Sequence, residues 1–159
     1  MKILKTFLFF IGYSVLVFIT AGLFVSKKAG IVIFSKQKEM EKKQKTLLVL
    51  NSWIKKKQQN KSIRNYMETN NYHSVAIYGL GDLGKLLSDE LKGYVEISYG
   101  IDRRDLLAEY PIYKIEDDLP DVDMAIITVI DEFEEIKKMI KEKLRCPIYS
   151  IEDIIYFMN

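Results

Sequence analysis

Residues 72–159 predict an α/β fold, a small doubly wound parallel sheet of about five strands. Three observations carry this reading. Short apolar runs without polar alternation, Ser74–Tyr78 and Met124–Val129 among them, suit strands buried on both faces. Segments with apolar residues at helical spacing alternate with those runs. A glycine-rich turn, Gly79-Leu80-Gly81-Asp82-Leu83-Gly84, joins the first run to the first such segment.

Two segments precede this domain. Thr6–Ser26 is a 21-residue stretch without a charge, bracketed by Lys5 and by Lys27 and Lys28. At ~1.5 Å per residue a helix of that length spans the ~30 Å hydrocarbon core of a bilayer. Residues 1–28 are therefore expected to be a single-pass membrane anchor. A cleaved leader fits less well, because the run is long and no small-x-small site follows it. The heavier basic flank lies after the span, from Lys27 to Lys45, which puts the C-terminal domain on the cytoplasmic side of the cell membrane.

Residues 29–71 read as a basic helical connector. In it Met40, Leu47 and Ile54 stand seven apart, but Lys43 and Lys57 occupy intervening positions, a poor pattern for a coiled coil. The Leu47–Ile54 face is expected to pack on the domain, with the lysines toward solvent or anionic lipid. A shorter helix is expected near Ser62–Thr69, with Ile63, Tyr66 and Met67 on one face. Charge divides at the same place. Residues 1–70 hold 14 Lys/Arg and 3 Asp/Glu, a net of +11, and residues 71–159 hold 10 and 19, a net of −9. The lysine run lacks interleaved aromatics apart from Trp53, so no nucleic-acid partner is expected.

Each glycine of the turn has a distinct task. Gly79 permits the tight turn, Gly81 lets the backbone approach a pyrophosphate, and Gly84 lets helix pack close to strand. The N–H groups at the helix start then face the anion. Leu83, Leu86, Leu87 and Leu91 give that helix an apolar face. A second strand, Val95–Ile101, ends in Asp102, 18 positions after Gly84. A carboxylate there is placed to accept hydrogen bonds from ribose hydroxyls. Arg103 and Arg104 follow, and strand alternation would send Arg103 to the face opposite Asp102. The ligand expected is NAD(H) or a nucleotide-sugar, with NADP less favoured, held by Gly79–Gly84, Asp102 and Arg103.

The remaining elements complete the sheet. Pro111–Tyr113 is a short third strand, Glu116–Asp123 an acidic loop, and Met124–Val129 a buried fourth strand. Thr128 and Val129 sit at its carboxyl end, where open α/β sheets bind ligands, and join the expected site. Asp131 with Glu134 forms a capping-box-like start to a helix whose core face is Phe133, Ile136, Ile140 and Leu144. Pro147–Tyr149 is a fifth strand, and Ser150 caps a final helix with Ile151, Ile154 and Ile155 inward.

Catalytic groups are sparse. Cys146 is the only cysteine and His73 the only histidine, which excludes an intramolecular disulfide and speaks against a metal site. Tyr110 and Lys114 form a Y-x-x-x-K, but Pro111 lies inside it and the segment is extended, so no proton-transfer role is expected. No complete catalytic constellation accompanies the glycine motif.

Val75–Ile155 resembles a bacterial Rossmann module of surface-polysaccharide pathways. The residues that carry the resemblance are AIYGLGDLGKLLSDEL, YGIDRR, IYKIEDDLPDVDMAIITV and PIYSIEDII. Similar modules form the nucleotide-sugar-binding half of sugar O-acetyltransferases and occur beside transmembrane helices in polysaccharide epimerases and sugar-phosphate transferases. Neither an acetyltransferase repeat nor an epimerase domain follows here. The resemblance implies a membrane-anchored nucleotide- or nucleotide-sugar-binding accessory module in capsular or exopolysaccharide biosynthesis, partnered by membrane lipid and by enzymes of that pathway. The alternatives are an NAD(P)-dependent oxidoreductase or epimerase subunit without its own catalytic half, and a ligand-free scaffold that docks polysaccharide enzymes.

Overall fold

The structure, a computed structural model, describes the backbone of residues 2–158 and the side chains of residues 30–158. The chain divides into two compact units, Met1–Glu41 and Lys42–Asn159. Helix α1 (Lys2–Gln58) runs through the first and into the second. The expected membrane span, Thr6–Ser26, lies outside the residues whose side chains are described. Among the described residues no helix is long and apolar enough to cross a membrane.

The second unit holds a five-stranded sheet. Its strands are β1 (Ser74–Tyr78), β2 (Glu96–Ile101), β3 (Ile112–Tyr113), β4 (Met124–Ile127) and β5 (Ile148–Ser150), in the order β3-β2-β1-β4-β5. All four pairings are parallel. The helices are α2 (Ile63–Thr69), α3 (Asp82–Leu91), α4 (Phe133–Lys141) and α5 (Ile151–Phe157).

Alternation along β1 sorts the core into two layers, as a strand's period of two requires. Val75 and Ile77 face Leu83, Leu87 and Leu91 of α3, together with apolar residues of α2 and α5. Ala76 and Tyr78 face the opposite layer, where Ile136 and Ile140 of α4 and the following Leu144 pack. Helices thus cover both faces, the doubly wound arrangement that the buried apolar strands demand. Leu86 departs from the expectation and is exposed, because the buried face of α3 follows the four-residue spacing of Leu83, Leu87 and Leu91.

The C-terminal part of α1 packs by a different face from the one predicted. Val49 and Trp53, one turn apart, enter the core, while Leu47 and Ile54 stay 60% and 55% exposed. The cause is a carboxylate. Glu90 of α3 accepts the Trp53 indole N–H at 2.9 Å and the Ile63 backbone N–H at 2.8 Å, and pairs with Lys57 at 3.0 Å. One nearly buried acid therefore ties α1 and the start of α2 to α3, and turns the Trp53 side of α1 inward.

The starts of α4 and α5 are capped differently. Ser150 caps α5 in a full capping box with Asp153, as the Ser150 reading required of its hydroxyl. The Asp131–Glu134 box does not form. Glu132 occupies the cap of α4 without a side-chain bond, and Asp131 instead pairs with Lys45 of α1.

Candidate functional site

A cleft of about 560 Å³ opens at the carboxyl ends of β1, β2 and β4. The chain leaves β1 toward β2 on one side, while β4 flanks β1 on the other. The cleft therefore sits at the topological switch point, where ligands enter open α/β sheets. Of the predicted site residues, Gly79, Gly81, Asp82, Leu83, Asp102, Arg103, Thr128 and Val129 line it. Leu80 and Gly84 do not: Leu80 lines a separate cavity with Ser88 and Tyr110, and Gly84 packs on the Gly79 carbonyl.

Gly79 has a φ of +90°, and a Cβ there would meet Val129 Cγ2 at 2.7 Å and Thr128 Oγ1 at 2.9 Å. Both the turn and the close approach require glycine. A Cβ on Gly84 would stand 2.1 Å from the Gly79 carbonyl oxygen, so the start of α3 rests directly on the turn. The buried Thr128 hydroxyl lies against the same place, donating to the carbonyl oxygens of Tyr78 and Gly79. Thr128 thus braces the turn from β4, and its hydroxyl is spent on the backbone.

Gly81 is different. It caps α3 with φ −76° and ψ −158°, a conformation open to any residue, and a Cβ there would meet nothing within 4 Å. No side chain caps the helix. Lys85 is the residue whose N–H returns to the Gly81 carbonyl, at 2.9 Å. The N–H groups of the first turn, as in any helix, have no acceptor within it.

Asp102 lies just past the end of β2 and is 8% exposed. Its carboxylate accepts the Leu80 N–H at 2.8 Å and the Arg104 N–H at 2.9 Å. Arg104 adds its Nε and Nη2, each at 3.0 Å. A carboxylate has about four acceptor sites, and these contacts occupy them. The Arg104 guanidinium, above all, holds the carboxyl down at about 2 against burial that pushes the other way. Arg103 turns to the α4 side, beside Tyr78 and Glu132, while Asp102 turns to the Leu80 side, as alternation predicts, yet Arg103 still lines the cleft. Its side chain, 72% exposed, lies in the cleft beside Glu132, 3.7 Å away. Burial raises the Tyr78 hydroxyl above its ordinary range, and the hydrogen-bonded Arg103 guanidinium partly opposes that rise.

Lys42 and Thr46 of α1 also line the cleft, and the sequence pattern did not point to them. Their only signal is the position of Thr46, a turn or two before the buried Val49 and Trp53. The cleft holds Lys42, Arg103 and Arg104 against Asp82, Asp102 and Glu132, a balance of charge. Affinity for an anion must therefore come from local placement. With Arg104 bound to Asp102, the groups left along the cleft for an anion are Lys42, Arg103 and the first turn of α3.

Tyr110 and Lys114 do not come together as a pair. The Tyr110 hydroxyl lies 2.7 Å from Ser88 Oγ, and Lys114 Nζ reaches Asp105 at 2.6 Å and the Arg103 carbonyl at 3.1 Å. Neither residue lines the cleft. Among the described residues no group of three or more His, Cys, Asp or Glu side chains is arranged to hold a metal ion. The chain matches no protein-family model, and comparison with curated proteins and with solved structures returns no match.

Proposed function

We propose that this protein is a membrane-anchored module that binds a nucleotide or nucleotide-sugar in the cleft above β1 and β4. Its role is accessory to capsular or exopolysaccharide synthesis. The observation that carries the binding reading is Gly81. Neither its backbone angles nor any neighbour within 4 Å requires glycine, yet its missing side chain would project into open space at the start of α3. A ligand that needs close contact with the backbone accounts for it. A diphosphate is the chemistry that fits, since the first-turn N–H groups and the helix dipole favour an anion there. Arg103 is placed to meet the same charge. Asp102 acts in this reading as the brace of the turn, and ribose hydroxyls reach it only as Arg104 yields an acceptor site.

The pathway rests on the resemblance of Val75–Ile155 to the modules of surface-polysaccharide enzymes, and the anchor rests on the uncharged run Thr6–Ser26. Calorimetry of the detergent-solubilised chain against UDP-glucose, NAD, NADP and coenzyme A tests the binding. Saturable binding of a nucleoside diphosphate derivative, lost in Gly81→Val, is the expected result. Binding that survives Gly81→Val unchanged overturns the site. Carbonate extraction tests the anchor: the full chain stays with membranes, and a chain that begins at Ser35 is released.

A further inference from the structure

We infer that the cleft between α2 and α5 is a second binding site, for a neutral glycan. The inference does not depend on the nucleotide proposed above, because the two sites lie at opposite ends of the sheet. The first cleft stands at the carboxyl ends of β1 and β4. α2 ends shortly before β1 begins, and α5 runs back from the carboxyl end of β5, so Thr69, Asn70 and Tyr156 lie toward the amino ends of the strands. The cleft there holds about 730 Å³, within the ~300–1,000 Å³ range of small-molecule pockets.

Its walls combine aromatic rings with neutral hydrogen-bonding groups. Tyr66, Tyr149, Tyr156 and Phe157 supply the rings. Asn65, Thr69 and Asn70 supply two amides and a hydroxyl, at spacings that put them on one side of α2 with Tyr66. The cleft is built and not frayed. Lys56 of α1 donates to the Tyr156 and Met158 carbonyls at 3.2 and 2.6 Å, closing the end of α5. Phe157 meets Tyr149 and Tyr156 edge-to-face, with centroids 6.2 and 5.7 Å away. Ile154, Ile155 and Met158 already join α5 to the core, so Tyr156, 78% exposed, and Phe157, 43% exposed, are not needed for it.

The chemistry of the walls selects the ligand. Among the described residues no Asp, Glu, Lys or Arg lines this cleft, in a chain that is 29% charged. An anionic lipid or a charged peptide therefore finds no counter-charge in it. A pyranose lays the C–H groups of one face against an aromatic ring, whose face is the negative end of its quadrupole. Its hydroxyls, each both donor and acceptor, spread outward to groups that also offer both, which amides and hydroxyls do. Asn70 spends one amide hydrogen on the Tyr66 carbonyl, at 2.8 Å, and keeps its oxygen as an acceptor. A polyproline strand also packs on aromatic rings, but it carries carbonyl acceptors and no N–H donors. It would leave the Asn oxygens unanswered.

The test uses the full chain in phosphatidylcholine nanodiscs, since a glycoside detergent would compete for the cleft. Maltohexaose, cellohexaose and chitohexaose are titrated by saturation-transfer NMR, with decaproline as the peptide probe. At least one of the three sugars should bind saturably, with the strongest transfer to its ring C–H protons. Tyr156→Ala should weaken that binding by about fivefold, the loss of one aromatic contact. The melting temperature should hold, since Tyr156 is exposed. Asn65→Ala should weaken binding as well, and added NAD should not displace the sugar. Three results would each overturn the proposal. They are no saturable binding of any of the three sugars, sugar binding that Tyr156→Ala leaves unchanged or NAD displaces, and tighter binding of decaproline than of the sugars.

Discussion

The Asp102 carboxylate accepts the Leu80 backbone N–H at 2.8 Å, so the end of β2 holds the glycine turn that leaves β1. Arg104 closes the arrangement from the other side. With the Asp102 carboxyl at about 2, below its ordinary 3.8, the folded state favours the ionised form. The stability this confers is present at neutral pH and is lost as pH falls from about 4 through about 2. Its size is on the order of 2 kcal/mol. Asp102→Asn should therefore cost about that much in urea melts at pH 7. The gap between mutant and parent should shrink at pH 2 to 3. A gap that does not change with pH would show that the carboxylate charge is not what holds the turn.

The three glycines of the motif should respond differently to substitution. Gly84→Ala drives a Cβ against the Gly79 carbonyl and should cost ~3 kcal/mol or more. Gly79→Ala should also be severe, since the left-handed φ and the contact with Val129 both oppose it. Gly81→Val should cost only about 1 kcal/mol, since it enters open space at an allowed conformation and loses only the N-cap preference for glycine. Thermal melts of the three variants side by side give the order. If Gly81→Val is as damaging as Gly84→Ala, the glycine is kept for packing and the binding argument drawn from it fails.

Thr128 offers a test of the brace from β4. Thr128→Val keeps the shape and removes the hydroxyl that donates to Tyr78 and Gly79. The expected loss is about 1–2 kcal/mol, the cost of leaving buried carbonyls less well satisfied. Amide exchange should quicken at the Gly79–Gly81 turn more than in β5. Uniform quickening across the sheet would mean that Thr128 acts on global stability alone.

Local signals in the sequence carried most of the fold. β1, the glycine turn and α3 are contiguous, and each confirms the others within 18 residues, from Ser74 to Leu91. Ser150 and Asp153 are three apart, so their capping box is equally local. What was not legible depends on partners far along the chain. α1 carries apolar residues on more than one side, and its periodicity does not say which side meets the domain. Glu90 decides it, from 37 residues away, by taking the Trp53 indole N–H. The Asp131–Glu134 box fails for a similar reason, since Asp131 is drawn to Lys45. In the site, the glycines were placed by motif alone, whereas the bond from Arg104 to Asp102 depends on how the chain bends once β2 has ended.

That bend sets the last prediction, which concerns the ribose. From sequence, Asp102 favours NAD or a UDP-sugar over NADP, because a 2′-phosphate would meet its negative charge. In the structure the Arg104 guanidinium lies on that carboxylate, through contacts at 3.0 Å, and offsets the charge. Discrimination should then depend on Arg104. Arg104→Ala frees acceptor sites on Asp102 for the 2′- and 3′-hydroxyls and exposes its charge. The ratio of NADP to NAD dissociation constants should rise by about tenfold over the parent, or ~1.4 kcal/mol. In the Asp102→Ala, Arg104→Ala pair that rise should vanish. Titration of the three proteins with both nucleotides decides it. An unchanged ratio in Arg104→Ala would place the ribose away from Asp102 and leave that residue with the turn alone.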